Sequence, residues 1–245
     1  MNSANPATPV QKIGAFFDID GTLLAGPSLE WRFASWLEAY GALGFWQMAR
    51  WSVCAISSLL SGDLAGLRRN KAYLAGSPSE LVRDWQLSLP PHAIAPFSEG
   101  AERIKWHLQQ DHRVFLISGT LAPLAEAFAQ QLDDRIEWQA TNLERMDGRW
   151  TGSIVGNHMG GHEKAAALTR IADRCGISLA RSFAYGNEIA DLPMLESVGH
   201  PIAVNPGAHL RRIATQRNWR IARWNSVQPA NASTTGALLS PTEAR

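Results

Sequence analysis

The sequence predicts an α/β protein: a Rossmann-like parallel sheet core with an inserted α-helical cap. Three observations lead there. A short apolar run stops at two carboxylates and a glycine, Phe16-Phe17-Asp18-Ile19-Asp20-Gly21-Thr22. A proline-free stretch dense in Trp, Phe, Leu and Ala follows, from Leu29 to Leu60. From Val114 onward, strand-like and helix-like segments alternate, the pattern of a parallel sheet covered by helices on both faces.

In chain order, Ile13 to Phe17 reads as a buried strand that Gly21-Thr22 breaks, placing Asp18 and Asp20 at its carboxyl end. Alternation along an extended chain points both acids to one side and Ile19 to the other. Leu29 to Leu60 reads as a helix, a turn near Gly41-Gly44 and a second helix. Arg68–Leu74 and Ser79–Leu87 extend the helical reading, with Ser79 as an N-cap. Pro90-Pro91 and Pro96 punctuate, and Gly100–Gln110 is again helical. The alternating part runs Val114–Ile117, Pro123–Leu132, Ile136–Gln139, Lys164–Cys175, Ser182–Tyr185, Asp191–Ser197, Ile202–Val204 and His209–Arg217. This divides the chain into a flexible tail at 1–11, a core of 12–27 and 97–224, a helical cap at 28–96, and a disordered tail at 225–245 rich in Ser, Thr, Pro and Ala. Trp31, Trp36, Trp46 and Trp51 are read first as the cap's own core; a pocket lining or a lipid contact is the other use of such a concentration.

A chain of 245 residues is long enough for one large domain or a core with a smaller insertion. Net charge +1 with 18% charged residues, and no basic stripe, argues against a dedicated nucleic-acid binder. Cys54 and Cys175 stand far apart in no metal-like spacing; both are expected to be small core residues, and they fit a cytoplasmic location. Met1 to Val10 lacks the basic and apolar regions of a signal peptide. No apolar run reaches the roughly 18 residues of a spanning helix. Phe45 to Leu60 comes nearest, but Gln47, Arg50 and three serines make it a buried or amphipathic helix, so membrane association is not favoured.

Chemistry is concentrated at four strand-end turns. Asp18 and Asp20 face one small volume, where one acid can attack or bind metal while the other holds a proton. Leu116-Ile117-Ser118-Gly119-Thr120 ends an apolar strand in a hydroxyl and a glycine before a helix; the Ser118 hydroxyl and the N–H groups around Gly119 and Thr120 can donate to a phosphate. Gly161-His162-Glu163-Lys164 places a lysine near a helix start, where a cation is mildly disfavoured unless it faces carboxylates or phosphate. Tyr185-Gly186-Asn187-Glu188, followed by Asp191, puts oxygen ligands on a strand-to-helix turn, which suits a hard cation such as Mg2+.

In this order and combination the four turns resemble the haloacid dehalogenase superfamily of phosphohydrolases, in particular its phosphoserine-phosphatase-like branch with a helical cap between the first and second motifs. The resemblance covers about Ile13 to Trp224. It implies a Mg2+-dependent phosphatase acting on a small-molecule phosphate ester. Asp18 would be the nucleophile forming an aspartyl-phosphate, and Asp20 would protonate the leaving alcohol and then activate water. Ser118 and Lys164 complete the catalytic set, Gly119 and Thr120 bind phosphate, Glu30 is a candidate cap contact, and Asp18, Asp20, Asn187 and Asp191 are the metal ligands. Gly21 and Thr22 would start the flap leading to the cap. The chain departs from the pattern twice. Asn187 stands where an acid follows the glycine of the fourth motif, which predicts weaker Mg2+ affinity. Phosphoserine phosphatases carry a glutamate nine positions after the nucleophile, where this chain has Pro27, with Glu30 three residues later. The expected substrate is therefore a small organic or partly apolar phosphate other than phosphoserine, with Arg32, Arg68, Arg69 and Lys71 as further cap candidates. Phosphoryl transfer to an acceptor other than water, or a catalytically weakened phospho-ligand-binding or membrane-associated module, are the alternative readings.

Overall fold

The structure is a computed structural model describing residues 11–62, 66, 69–89 and 93–225. The expected tails, apart from Gln11 and Asn225, lie outside the described residues, as do Arg68 and Pro90-Pro91. Strand β1, Gly14–Phe17, lies at the middle of a six-stranded sheet with β2 (Arg113–Leu121), β3 (Glu137–Thr141), β6 (Phe183–Gly186), β7 (His200–Val204) and β8 (Arg220–Ala222). The order is β3-β2-β1-β6-β7-β8, every pair parallel. Numbering only these strands, the order is 3-2-1-4-5-6, the doubly wound arrangement in which the chain leaves the central strand in opposite directions and opens a crevice at the carboxyl ends.

Strand residues alternate between two apolar cores. Ala15, Phe17, Val114, Leu116, Tyr185 and Ile202 face one; Phe16, Phe115, Ile117, Ala184 and Ala203 face the other. Phe17 stacks on Tyr185 at 4.2 Å between ring centroids and Phe16 on Phe115 at 5.2 Å, so aromatic pairs lock neighbouring strands on both faces. Burial on both faces explains why these strands read as continuous apolar runs. The α/β class is the one the sequence predicts.

Between β1 and β2 the chain forms helices α1 (Leu29–Ala39), α2 (Phe45–Leu60), α3 (Leu81–Ser88) and α4 (Ser98–Gln109). Helix α1 starts where Ser28 Oγ accepts the Trp31 N–H, and Gly41 at φ +72° follows its end. The rest of the alternation is α5 (Ala122–Leu132), α6 (His162–Cys175), α7 (Leu192–Glu196) and α8 (Ala208–Gln216). Among the described residues, no helix is long and apolar enough to cross a membrane.

Several expectations need correction. The segment read as a helix over Arg68–Leu74 has a 3-10 turn at Ala72–Leu74, and Asn70 Oδ1 accepts the Ala72 N–H at its start, a side-chain alternative to helix. Ser79 does not cap α3; its N–H bonds the Gly148 carbonyl and the helix begins two residues on. Strand β2 does not stop at Ile117: its register shifts between Ile117 and Leu121, so Ser118-Gly119-Thr120 is a bulge within the strand. An antiparallel hairpin, β4 (Leu143–Met146) and β5 (Arg149–Ile154), was not anticipated. Asp147 and Gly148, at φ +49° and +74°, form its two-residue turn, the conformation that Asp-Gly favours. Trp31, Trp46 and Trp51 do not fill a cap core: they are 60%, 77% and 37% exposed. Phe33, Leu37, Leu74 and Trp85 are buried instead, in one cluster continuous with the sheet face that carries Ala15 and Phe17, and Trp36 packs against it. Cys54 is exposed rather than a core residue, and Cys175 is half-buried.

Candidate active site

Asp18 follows β1 directly, and its N–H donates to the Tyr185 carbonyl at 2.9 Å, continuing the ladder to β6. Lys164, in the first turn of α6, donates to Asp18 Oδ1 at 2.5 Å and to Asp191 Oδ1 at 2.6 Å. All three side chains are at most 8% exposed. A cation in the first turn of a helix, buried, is explained by these two partners; breaking such a triad would leave an uncompensated buried charge. Burial works against the lysine's charge, but Asp18 and Asp191 outweigh it and hold its pKa above the ordinary lysine range. Burial pushes the Asp18 carboxyl up to about 7; Lys164 opposes this, while Asp191 and Asp20 add to it.

The fourth turn is held by Asp191, whose Oδ2 accepts the N–H groups of Asn187 and Glu188 at 2.9 and 3.0 Å. Gly186 is required here, since a Cβ would lie 2.5 Å from that of Asp191. Thr22 Oγ1 lies 3.1 Å from both Asp18 Oδ2 and Asn187 Oδ1. One hydroxyl proton cannot serve two acceptors at once, so one of these converging oxygens is short of a donor. Asp20 lies between β1 and α1. Its Oδ1 accepts the Leu29 N–H at 2.8 Å, tying it to the first residue of α1. Burial raises the Asp20 pKa, although that bond and nearby Lys164 pull the other way.

The β2 bulge forms the third side. Ser118 is buried, its Oγ accepting the Thr120 N–H at 3.3 Å. Thr120 Oγ1 is buried with no hydrogen-bond partner among the described residues. His158 closes on the same bulge: a Cβ at Gly119 would lie 3.1 Å from its ring, and its Nδ1 is 3.0 Å from Thr141 Oγ1. Asp18, Asp20, Glu30, Ser118, Gly119, Thr120, Lys164, Asn187 and Asp191 all line one cavity of about 840 Å³. Sequence reasoning missed His158; a single histidine in a loop with no periodic context carries no signal. It also took Thr22 for a flap residue only.

Glu30 is not a solvated helix charge. Both its carboxylate oxygens lie 2.6 Å from Lys71 Nζ, and Tyr73 donates its O–H to Oε1 at 2.8 Å. Arg32 turns away and donates to the carbonyls of Ala25, Pro27 and Ala93, while Arg69 is exposed.

Asp18, Asp20, Asn187 and Asp191 offer only oxygen donors, and a pair of oxygens sharing one hydroxyl donor fits a hard cation. No group of three or more His, Cys, Asp or Glu side chains forms a cage among the described residues. Mg2+ needs none, because one or two carboxylates, substrate phosphate and water ordinarily hold it.

A doubly wound sheet with carboxylates, a lysine and a hydroxyl gathered at the ends of its central strands defines an α/β protein with a polar crevice where such folds bind ligands. Residues 15–196 match the family model of the haloacid dehalogenase-like hydrolases, and the chain belongs to that family. It is 34% identical over 226 residues to the protein named phosphoserine phosphatase SerB1 of Mycobacterium tuberculosis, covering 88% of this chain and 72% of that one. It superposes with a TM-score of 0.72 on a Bordetella pertussis Tohama I protein described as of unknown function, at 23% identity over 86% of this chain and 98% of the other. A phosphoserine phosphatase solved as a phospho-aspartyl intermediate analogue gives 0.61 at 22% identity, over 89% and 95% of the two chains. These two structural likenesses bear on the fold alone.

Proposed function

We propose that this hydrolase is a Mg2+-dependent phosphatase that cleaves a small organic phosphomonoester through an aspartyl-phosphate. The core is 12–27 with 97–224, and 28–96 is the cap. The observation that carries the reading is Lys164 bridging Asp18 and Asp191 at the end of the central strand, with Asp20 two residues on. Asp18 attacks phosphorus as the bond to the leaving oxygen breaks, and Asp20, whose pKa burial raises above the ordinary carboxyl value, gives a proton to that oxygen. Asp20 then takes a proton from the water that attacks the acyl phosphate, releasing phosphate and restoring Asp18. Two unit charges 4 Å apart repel by about 4 kcal/mol at an effective dielectric of 20, so an anion attacking a phosphate needs screening. Lys164 supplies one positive charge, and Ser118 with the bulge N–H groups orients the phosphoryl oxygens. Asp18, Asp20, Asn187 and Asp191 would hold Mg2+, which when bound adds the remaining screening. The name carried by the mycobacterial relative supports phosphatase chemistry. The two unpaired cysteines support a cytoplasmic setting.

Phosphate release from p-nitrophenyl phosphate, with and without Mg2+, tests this in the native chain and in Asp18→Asn. Metal-dependent release that falls to background in the variant is expected. A variant releasing phosphate at the native rate would remove Asp18 as nucleophile.

A further inference from the structure

The cap half of the cavity is built unlike its catalytic half. Trp31 and Trp51 lie outside the apolar core that holds Phe33 and Trp85, and both stand on the cavity wall, 60% and 37% exposed, beside Leu43 and Met48. Apolar surface left uncovered in a concave site is available to a ligand. Of the two carboxylates that α1 sends to that wall, Glu38 is exposed and Glu30 is paired. Glu30 is neutralised by Lys71, which is itself 5% exposed, and Tyr73 takes one of its oxygens. The two lysines lining the cavity, Lys71 and Lys164, are both held in ion pairs, and among the described residues lining it there is no arginine. An amino acid phosphate would need a cation for its carboxylate, and leaving that group unmatched in a partly desolvated pocket costs affinity.

We infer that the leaving group this site selects is an aromatic or extended apolar alcohol without a carboxylate, with Trp31 and Trp51 as its contact surface and Lys71 masking Glu30. The inference rests on the phosphatase reading above and deepens it.

Three Mg2+-supported assays, with 2-phenylethyl phosphate, ethyl phosphate and phosphoserine, test it, together with calorimetric binding of the same esters to Asp18→Asn without turnover. Phenylethyl phosphate, whose leaving alkoxide matches ethoxide in basicity, should be preferred to each of the others by about tenfold or more in kcat/KM and in affinity, the scale of one buried aromatic contact. Trp51→Ala should lower the phenylethyl-to-ethyl ratio of kcat/KM about tenfold. Lys71→Met, its folding checked by thermal melting, should raise the ratio of phosphoethanolamine to ethyl phosphate by unmasking Glu30. Turnover that favours ethyl phosphate or phosphoserine overturns this inference and leaves the phosphatase reading standing. So does a Trp51→Ala ratio equal to the native one. Failure to turn over any ester, with no binding to Asp18→Asn, overturns both.

Discussion

Thr22, Gly21 and Asn187 show how closely this site is fitted at the level of single residues. Gly21 sits at φ +82°, and a Cβ there would lie 2.2 Å from Asn187 Nδ2, so the glycine both makes the turn and admits the amide. With Oδ1 of Asn187 facing the hydroxyl that Asp18 also faces, an extra negative charge at this position should draw a cation in. Asn187→Asp is expected to tighten Mg2+ binding about tenfold by calorimetric titration, the scale of one added carboxylate in a hydrated site; an unchanged isotherm would take Asn187 out of the ligand set. His107 is a residue of a different kind, fully buried, with Nε2 2.8 Å from Tyr185 Oη and Nδ1 2.8 Å from His112 Nδ1. Burial, with His112 and Arg103 adding, pushes its pKa down to about 3. The unfolded chain therefore takes up a proton near pH 6.5 that the folded one refuses, and the stability held above that pH is lost as pH falls toward 3. Its contribution to the slope is at most about 1.4 kcal/mol per pH unit. Urea melts between pH 6 and 4 should show a shallower pH dependence for His107→Gln than for the native chain.

Among the elements, the hairpin β4–β5 explains how cap and core are joined. The Gly76 N–H bonds the Trp150 carbonyl, the Trp150 N–H bonds the Ser77 carbonyl, and the Ser79 N–H reaches Gly148 at the turn. Trp150 meets Phe33 of α1 edge-on at 6.2 Å, and Trp85 of α3 packs on the same ring at 5.5 Å. Trp85→Ala should therefore cost about 3–5 kcal/mol in chemical denaturation, whereas Trp46→Ala, on the exposed face of α2, should stay within about 0.5 kcal/mol. Equal losses would mean that both rings serve the cap core. The sequence could not separate these tryptophans, because composition shows an aromatic surplus but not which ring faces inward. Long periodic segments such as α1, α2 and α6 were legible to within a few residues. The hairpin was not, although Asp147-Gly148 carries its turn signal, since its strands are short and half exposed. The bulge in β2 was misread as a strand end because Ser-Gly-Thr is turn chemistry, and only pairing with β3 reveals that the strand continues.

At the scale of the whole molecule, the sheet order brings segments far apart in sequence to one crevice: Lys164 lies 146 residues from Asp18, and Asn187 lies 165 from Thr22. The cavity residues expected from the sequence were legible because each motif ends an apolar run, and buried strands leave few other reasons for a carboxylate or lysine there. What stayed hidden depends on tertiary approach alone: the Glu30–Lys71–Tyr73 cluster, His158 behind Gly119, and the hydroxyl of Thr22 between two oxygens. In the proposed mechanism Asp18 carries the phosphoryl group and Asp20 governs its departure. Mass spectrometry of protein quenched in acid during turnover of p-nitrophenyl phosphate with Mg2+ tests this in the native chain and in Asp20→Asn. The nitrophenolate leaves with little need of a proton, so the variant should still be phosphorylated but hydrolyse slowly, accumulating one phosphoryl group on the peptide that contains Asp18. Phosphate release with no phosphoryl group on that peptide in either protein would mean that Asp18 does not carry the phosphoryl group.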